Sequence, residues 1–205
     1  MAGLFVTFEG IDRSGKTTQA RMLCEALGDE ALAVREPGGT EVGERLRDLL
    51  KDQALDIGPE AEALAFAAAR AELVRQVIRP ALEDGRVVVS DRFLDSSLAY
   101  QGVARGLGVE DVEQINRFAT GGLMPDLTFL LSIDPARAAE RAGQLDRFED
   151  EGDSLQRAVF DAYRELAAAD PGRWQIVDAD RSSHEVHADV LAAVGQARAA
   201  AGARA

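Results

Sequence analysis

The sequence predicts an α/β domain: a doubly wound, five-stranded parallel sheet with helices on both faces and a short lid. Short apolar segments alternate with longer stretches of helical periodicity along the chain, the pattern that builds parallel sheets. Those segments show little inside–outside alternation, as strands buried on both faces do. The first of them also runs straight into a glycine-bearing turn, Gly10-Ile11-Asp12-Arg13-Ser14-Gly15-Lys16-Thr17, that opens a helix.

Leu4–Phe8 is the first strand, apolar but for Thr7. The helix after the turn covers 16–27 and carries Ala20, Leu23, Cys24 and Leu27 on one face, so Cys24 reads as a small core residue. Ala31–Arg35 is the second strand; Pro37, Gly38 and Gly39 shape the turn that follows, and Thr40 is placed to cap a helix over 41–51. An alanine-rich helical pattern spans 59–83. Val87–Ser90 is the third strand and 94–119 the next helix. Leu127–Ile133 is the fourth strand, followed by helical periodicity over 135–169, with a glycine-bearing lid at 141–153. Gln175–Val177 is the fifth strand. A last helix runs from Ser183 to about Gln196, and 197–205, rich in alanine, is expected to fray. No linker or internal repeat divides the chain, so 1–205 reads as one domain.

Composition narrows the classes of function. The 46% apolar and 29% charged content is that of a soluble globular chain. No apolar run reaches the roughly 20 residues of a membrane span, and a lone cysteine excludes an internal disulfide, so a cytoplasmic setting is expected. A net charge of −13 argues against a nucleic-acid surface. An anionic ligand then has to rely on local cations. Lys16 and Lys51 are the only lysines among 23 cationic residues. A compact ammonium in the glycine turn is therefore a chosen feature in a chain that otherwise uses arginine.

The turn reads G-x-x-x-x-G-K-T between strand and helix, the context of a phosphate loop. Its backbone N–H groups and the helix N-terminus form an anion site. Lys16 is placed for the β- and γ-phosphates and Thr17 for Mg²⁺. Asp91, at the end of an apolar strand, is a candidate second metal ligand, and Arg92 beside it a candidate phosphate clamp; a strand-capping ion pair is the alternative. Arg35 and Glu36 sit at another strand end, within either a binding edge or a structural turn. Phe66 and Arg70 share a helix face at i and i+4. They read either as a ring and guanidinium for a nucleobase or as a core ring with a snorkelling arginine. Arg137, Arg141 and Arg147 flank the glycine-bearing segment, which is either a lid that closes over phosphates or a solvated loop.

Taken together these residues resemble the thymidylate kinase family. The motifs are the F-E-G-x-D-x-x-G-K-T-T loop, R-E-P-G-G-T at Arg35–Thr40, F-x-x-x-R at Phe66 and Arg70, D-R-F-x-D-S-S-x-A-Y-Q-G at Asp91–Gly102, P-D-L-T at Pro125–Thr128 and L-D-R-F-E at Leu145–Glu149. The resemblance implies a P-loop NTPase fold and transfer of the ATP γ-phosphoryl to dTMP, with Mg²⁺, in a homodimer. It implies that Gly10, Ile11, Asp12, Arg13, Ser14, Gly15, Lys16 and Thr17 hold ATP, and that Ala179-Asp180-Arg181 borders the adenine. Phe66 would stack on thymine, Arg70 would bond its O4, and Ser97 and Gln101 would lie at the base edge. Tyr100 would pack at C2′ and Asp12 near the 3′-hydroxyl and the metal. Arg35 and Arg92 would hold the acceptor phosphate, and Glu36 and Pro37 of the turn would also bind dTMP. Arg13 inside the loop resembles the family's eukaryotic branch, and the short lid keeps Arg141 and Arg147. The expectation is that Arg13 takes the main share of transition-state charge and Arg147 assists.

Three rivals are weighed against this. A kinase for another nucleoside monophosphate needs base contacts other than Phe66, Arg70 and Tyr100. A GTP-dependent switch needs N-K-x-D, but the only asparagine is Asn116, followed by Arg117. A nucleotide-binding protein without turnover is at odds with Lys16, Thr17 and Asp91 all being present.

Overall fold

The computed structural model describes residues 3–141 and 153–202. Five strands, β1 (Leu4–Glu9), β2 (Ala31–Arg35), β3 (Val87–Asp91), β4 (Leu127–Ser132) and β5 (Trp174–Asp178), form one all-parallel sheet in the order β2-β3-β1-β4-β5. Helices α1 (Lys16–Leu27), α2 (Glu41–Lys51), α3 (Pro59–Leu73), α4 (Arg79–Glu83), α5 (Leu94–Ser97), α6 (Val109–Thr120), α7 (Pro135–Ala139), α8 (Asp153–Ala169) and α9 (Ser183–Gly202) connect and flank it. The expected doubly wound α/β architecture is present, and each strand lies within two residues of its expected bounds.

Strand side chains alternate between two cores. Leu4, Val6, Phe8, Val87 and Val89 pack with Ala20 and Leu23 of α1 and Val186, Val190 and Val194 of α9. Phe5 and Val88 point the other way, onto Leu73, Val74, Ile78, Phe93, Leu98 and Val112. Both faces are covered, which explains the near-continuous apolar strands.

Two expected helices are divided. The stretch 94–119 breaks between Ala104 and Val109, because Gly106 and Gly108 take φ of +77° and +93°, outside the helical region. The stretch 135–169 is helical at Pro135–Ala139 and again from Asp153; most of the expected lid, including Arg147, lies outside the described residues. The expected helix 59–83 is continuous but contains a π-helical segment, Val74–Ile78. At the other end α9 extends past Gln196 to Gly202, so the first part of the alanine-rich tail is helical, as the high helix propensity of alanine favours.

β1 is central, with β3 on one side and β4 on the other, and the chain crosses over it between β3 and β4. That is the topological switch point, and the crevice beyond the carboxyl end of β1 opens there.

Candidate active site

At that crevice lies a cleft of about 370 Å³. Asp12, Arg13, Lys16 and Thr17 line it from the glycine loop, Asp91 and Arg92 from the end of β3, and Arg35, Glu36 and Pro37 from the end of β2. Phe66 reaches it from α3, and Ser96, Ser97, Tyr100 and Gln101 from α5 and the π-helical segment Leu98–Ala104 that continues it. Arg47 and Lys51 of α2 complete the wall. Both lysines of the chain thus face one cleft, together with four arginines, in a protein of net charge −13.

The loop owes its shape to glycine. Gly10 has φ +139°, and a Cβ there would stand 2.8 Å from the Leu131 carbonyl oxygen. Gly15, at φ +102°, turns the chain into α1. Lys16 folds back over the loop, donating from Nζ to the carbonyl oxygens of Gly10 at 3.1 Å and Ile11 at 2.7 Å. Burial, helped by the nearby Arg92 charge, pushes its pKa down to about 8. Thr17 Oγ1 donates to Asp91 Oδ2 at 2.5 Å. These two hard oxygen groups beside the phosphate loop suit Mg²⁺, which keeps waters and substrate phosphates as its other ligands. Among the described residues no cluster of three His, Cys, Asp or Glu could hold a metal by protein groups alone.

Arg92 takes φ +71°, and this left-handed turn at the end of β3 throws its guanidinium back across the loop. It pairs with Asp12 through Nη2 and reaches Ser96 Oγ at 3.1 Å and the hydroxyls of Tyr100 and Tyr163 at 3.4 Å. Burial works against its charge, but Tyr100, Asp12 and Tyr163 hold the Arg92 pKa above the ordinary arginine value. Burial likewise pushes Asp12 up; the Arg92 and Lys16 charges outweigh it and hold the carboxyl below its usual range. Tyr100 donates to Asp12 at 3.2 Å, and so does Gln156 Nε2 at 2.9 Å.

Behind this layer Glu9 is fully buried. It accepts from the Phe93 N–H at 2.7 Å, Ser96 Oγ at 2.6 Å and the Tyr163 hydroxyl at 2.8 Å. Burial and the neighbouring Asp95 charge raise its pKa to about 7. On the β2 side Thr40 caps α2 as expected, accepting from Gly43 N–H at 3.0 Å. Arg35 is held by Glu44, at 2.9 and 3.0 Å, and by the Pro37 carbonyl at 2.9 Å, to which Arg47 also donates at 2.9 Å. The Glu36–Pro37 peptide bond is cis.

One expected residue stands elsewhere. Phe66 lines the cleft, but Arg70 lies behind the wall, 1% exposed. Its Nε donates to Glu36 at 2.7 Å, its Nη1 to Ser97 at 3.2 Å and to Asn116, and its Nη2 to the Phe93 carbonyl at 3.2 Å. Helical spacing correctly put Phe66 and Arg70 on one face. It did not reveal that carboxylate, hydroxyl, amide and carbonyl oxygens converge there to occupy every guanidinium nitrogen.

Sequence reasoning missed Arg47, Lys51, Gln156 and Tyr163, and of Glu9 read only its place in the F-E-G loop motif. For Arg47 and Lys51 the signal was available: they lie at i and i+4, just after a turn already suspected of binding. Gln156 and Tyr163 share a face of α8, but only the packing of that helix shows which way the face points. The segment Ala179–Arg181 does approach the loop: Arg141 donates from Nη2 to the Ala179 carbonyl and from Nη1 to the carbonyls of Arg13 at 3.1 Å and Ser14 at 3.2 Å.

Comparison with known proteins bears on the fold and the family. The thymidylate kinase family model matches residues 8–190. Thymidylate kinase of Pelotomaculum thermopropionicum is 48% identical over 201 residues, which cover 94% of this chain and 93% of that one. That of Deinococcus radiodurans is 46% identical over 200 residues, covering 95% and 97%. The crystal structure of thymidylate kinase from Ehrlichia chaffeensis superimposes with a TM-score of 0.77 at 32% identity, over 95% of this chain and 99% of that one.

Proposed function

The chain belongs to the thymidylate kinase family and transfers the γ-phosphoryl group of ATP to dTMP, giving dTDP; we propose that the cleft described above performs this transfer, with the residues gathered there. The observation that carries the assignment is one shared space: the phosphate loop with Lys16 and Thr17 faces Phe66, Arg92, Ser97, Tyr100 and Gln101 across a single cleft. A donor and an acceptor nucleotide can meet there.

The backbone N–H groups of Gly10–Thr17 hold the ATP phosphates, and Lys16 turns from the loop carbonyls to the β- and γ-oxygens. Phosphate charge beside Lys16 opposes the burial that depresses its pKa and keeps the ammonium protonated. Thr17 and Asp91 hold Mg²⁺, which when bound neutralises phosphate charge. On the acceptor side Phe66 stacks on thymine, Ser97 and Gln101 meet the base edge, and Tyr100 packs on the sugar. Asp12, already bonded to Tyr100 and Gln156, accepts from the 3′-hydroxyl. Arg92 and Arg35 bind the dTMP phosphate within the turn of Glu36 and Pro37, with Arg47 on the same wall. For Arg70 to bond the thymine O4, its guanidinium has to exchange a protein partner such as Ser97 for the base; as it stands, it orders Glu36 and Ser97.

A dTMP phosphate oxygen attacks the γ-phosphorus, the new P–O bond forms, and the bond to the β–γ bridging oxygen breaks. The attacking oxygen is already anionic, so no strong general base is needed. Catalysis is alignment plus neutralisation of charge on the transferred oxygens. Arg13 provides most of that neutralisation and Arg147 assists.

A homodimer fits the apolar side chains left exposed on neighbouring helices, Leu64 of α3 and Phe118 of α6. Among the described residues no helix is long and apolar enough to cross a membrane, and cytoplasmic residence is part of the proposal. Diphosphate formation from Mg-ATP, measured across dTMP, dUMP, UMP, CMP, AMP and GMP, tests the reading. Turnover highest with dTMP is expected; a purine or ribonucleotide preference overturns it.

A further inference from the structure

Gln101 lines the cleft but is only 2% exposed, so its amide has few directions open to it. Its Nε2 donates to Oε1 of Glu62 at 2.8 Å. Glu62 is equally buried, on α3, and Arg105 donates to both of its oxygens, from Nε and from Nη2, each at 3.2 Å. A carboxylate offers acceptors only. The amide atom that faces it must therefore be the NH₂ group, and the Gln101 carbonyl oxygen is turned to the other side. The one side-chain hydrogen bond of Gln101 among the described residues is the one from Nε2, and the oxygen is not sealed off from solvent, in a residue that lines the cleft.

We propose that Glu62 is a specificity-determining positioning residue: it locks the Gln101 amide with its oxygen toward the base, so that the site accepts a pyrimidine bearing N3–H and rejects one whose N3 is a lone pair. This rests on the reading of the cleft as the dTMP site. Thymine and uracil carry an N3–H donor that an amide oxygen satisfies. Cytosine presents N3 as an acceptor, and two acceptors facing each other leave both unsatisfied and the contact repulsive. A buried site built to pair one pattern of donors rejects the mismatched pattern strongly. Were Gln101 free to rotate by half a turn, it would present NH₂ and the discrimination would weaken. Glu62 does not touch the base; it acts through Gln101, and Arg105 fixes Glu62 from behind.

The test compares kcat/KM for dTMP and dCMP in the wild type, Glu62→Gln and Glu62→Asp. Glutamine has the shape of glutamate but can donate as well as accept, which frees the Gln101 amide to turn over. Glu62→Gln is expected to raise KM for dTMP more than it lowers kcat, and to reduce the dTMP/dCMP ratio by about tenfold or more. Glu62→Asp stays acceptor-only and is expected to keep the ratio within about threefold, despite its shorter reach. A role in packing alone predicts the opposite ranking, because glutamine fills the space and aspartate leaves a gap. An unchanged ratio in Glu62→Gln, or a ratio lost in Glu62→Asp and kept in Glu62→Gln, overturns the proposal. Where dCMP turnover is too slow to follow, its inhibition constant against dTMP reads the same ratio. If thermal melts show Glu62→Gln unfolded, Gln101→Met takes its place: the ratio should fall to a similar extent, and an unchanged ratio overturns the proposal. A wild type that does not turn over dTMP sinks the reading of the cleft instead, which separates the two failures.

Discussion

Arg13 combines two features that point to chemistry rather than packing. It is a non-glycine residue in the left-handed region, at φ +61°, a conformation that costs an L-residue about 1–2 kcal/mol. It also lines the cleft, with its guanidinium donating to the carbonyls of Ala139 at 3.3 Å and Arg141 at 3.4 Å at the foot of α7. Single-turnover rates should therefore fall about 10³-fold in Arg13→Ala and by less in Arg147→Ala; a loss under tenfold for Arg13→Ala refutes the assignment. Glu9 carries a pH signature. Its carboxyl titrates near 7 in the folded protein against about 4.5 in the unfolded chain. Between those values the folded state binds more protons, so this group's contribution to stability falls as pH rises from about 4.5 to 7 and stays low above it. Melting temperatures measured at pH 5, 6, 7 and 8 should show that decline in the wild type and a flatter profile in Glu9→Gln. Equal profiles would remove Glu9 as the cause.

At the scale of elements, the short helix α5 and the segment after it decide the acceptor side. α5 covers only Leu94–Ser97 and the chain then continues as a π-helical segment, Leu98–Ala104. The wider turn changes the direction of Tyr100 and Gln101 relative to a regular helix, a device common at functional sites. α5 is anchored from across the sheet. Asp95, wholly buried, is held by Arg173 at 2.6 and 2.9 Å, and Arg173 also donates to Thr128 Oγ1 at 2.9 Å and lies over the Trp174 ring at 5.0 Å. Removing one partner of such a pair strands a buried charge, at a cost of about 3–5 kcal/mol. Arg173→Ala should lose that much in urea unfolding, and Asp95→Asn combined with Arg173→Met should recover most of it. A double variant no more stable than Arg173→Ala would contradict this. The 3.6-residue periodicity of 94–119 announced helix correctly. The π segment and the break at Gly106 and Gly108 were not legible, because they depend on which side chains the sheet face and α6 have to receive.

Over the whole molecule, charge and exposed apolar surface are both unevenly placed. The net charge is −13, yet Arg13, Lys16, Arg35, Arg47, Lys51 and Arg92 converge on one cleft. Local focusing of this kind lets an anionic protein hold two anionic nucleotides. Phe118, 91% exposed on α6, and Leu64, 56% exposed on α3, lie on helices that pack together. An aromatic ring left in water there fits an interface between two copies. Sedimentation velocity at micromolar concentration should show a dimer for the wild type and a shift toward monomer for Phe118→Glu; a monomeric wild type rules the interface out. The sequence by itself determined the sheet class, the phosphate loop, the place of Thr17 and Asp91 beside it, and the family. Those features are local in the chain, written in consecutive residues whose spacing is the spacing of one strand, one turn or one helix face. Only the tertiary structure decided that Arg70 is enclosed behind the wall, that Gln156 and Tyr163 join the site, and that Glu62 fixes the Gln101 amide. Each of those facts is a meeting of groups far apart in sequence, and which oxygen a buried guanidinium or amide finds is settled by how helices pack on the sheet, a property no single segment contains.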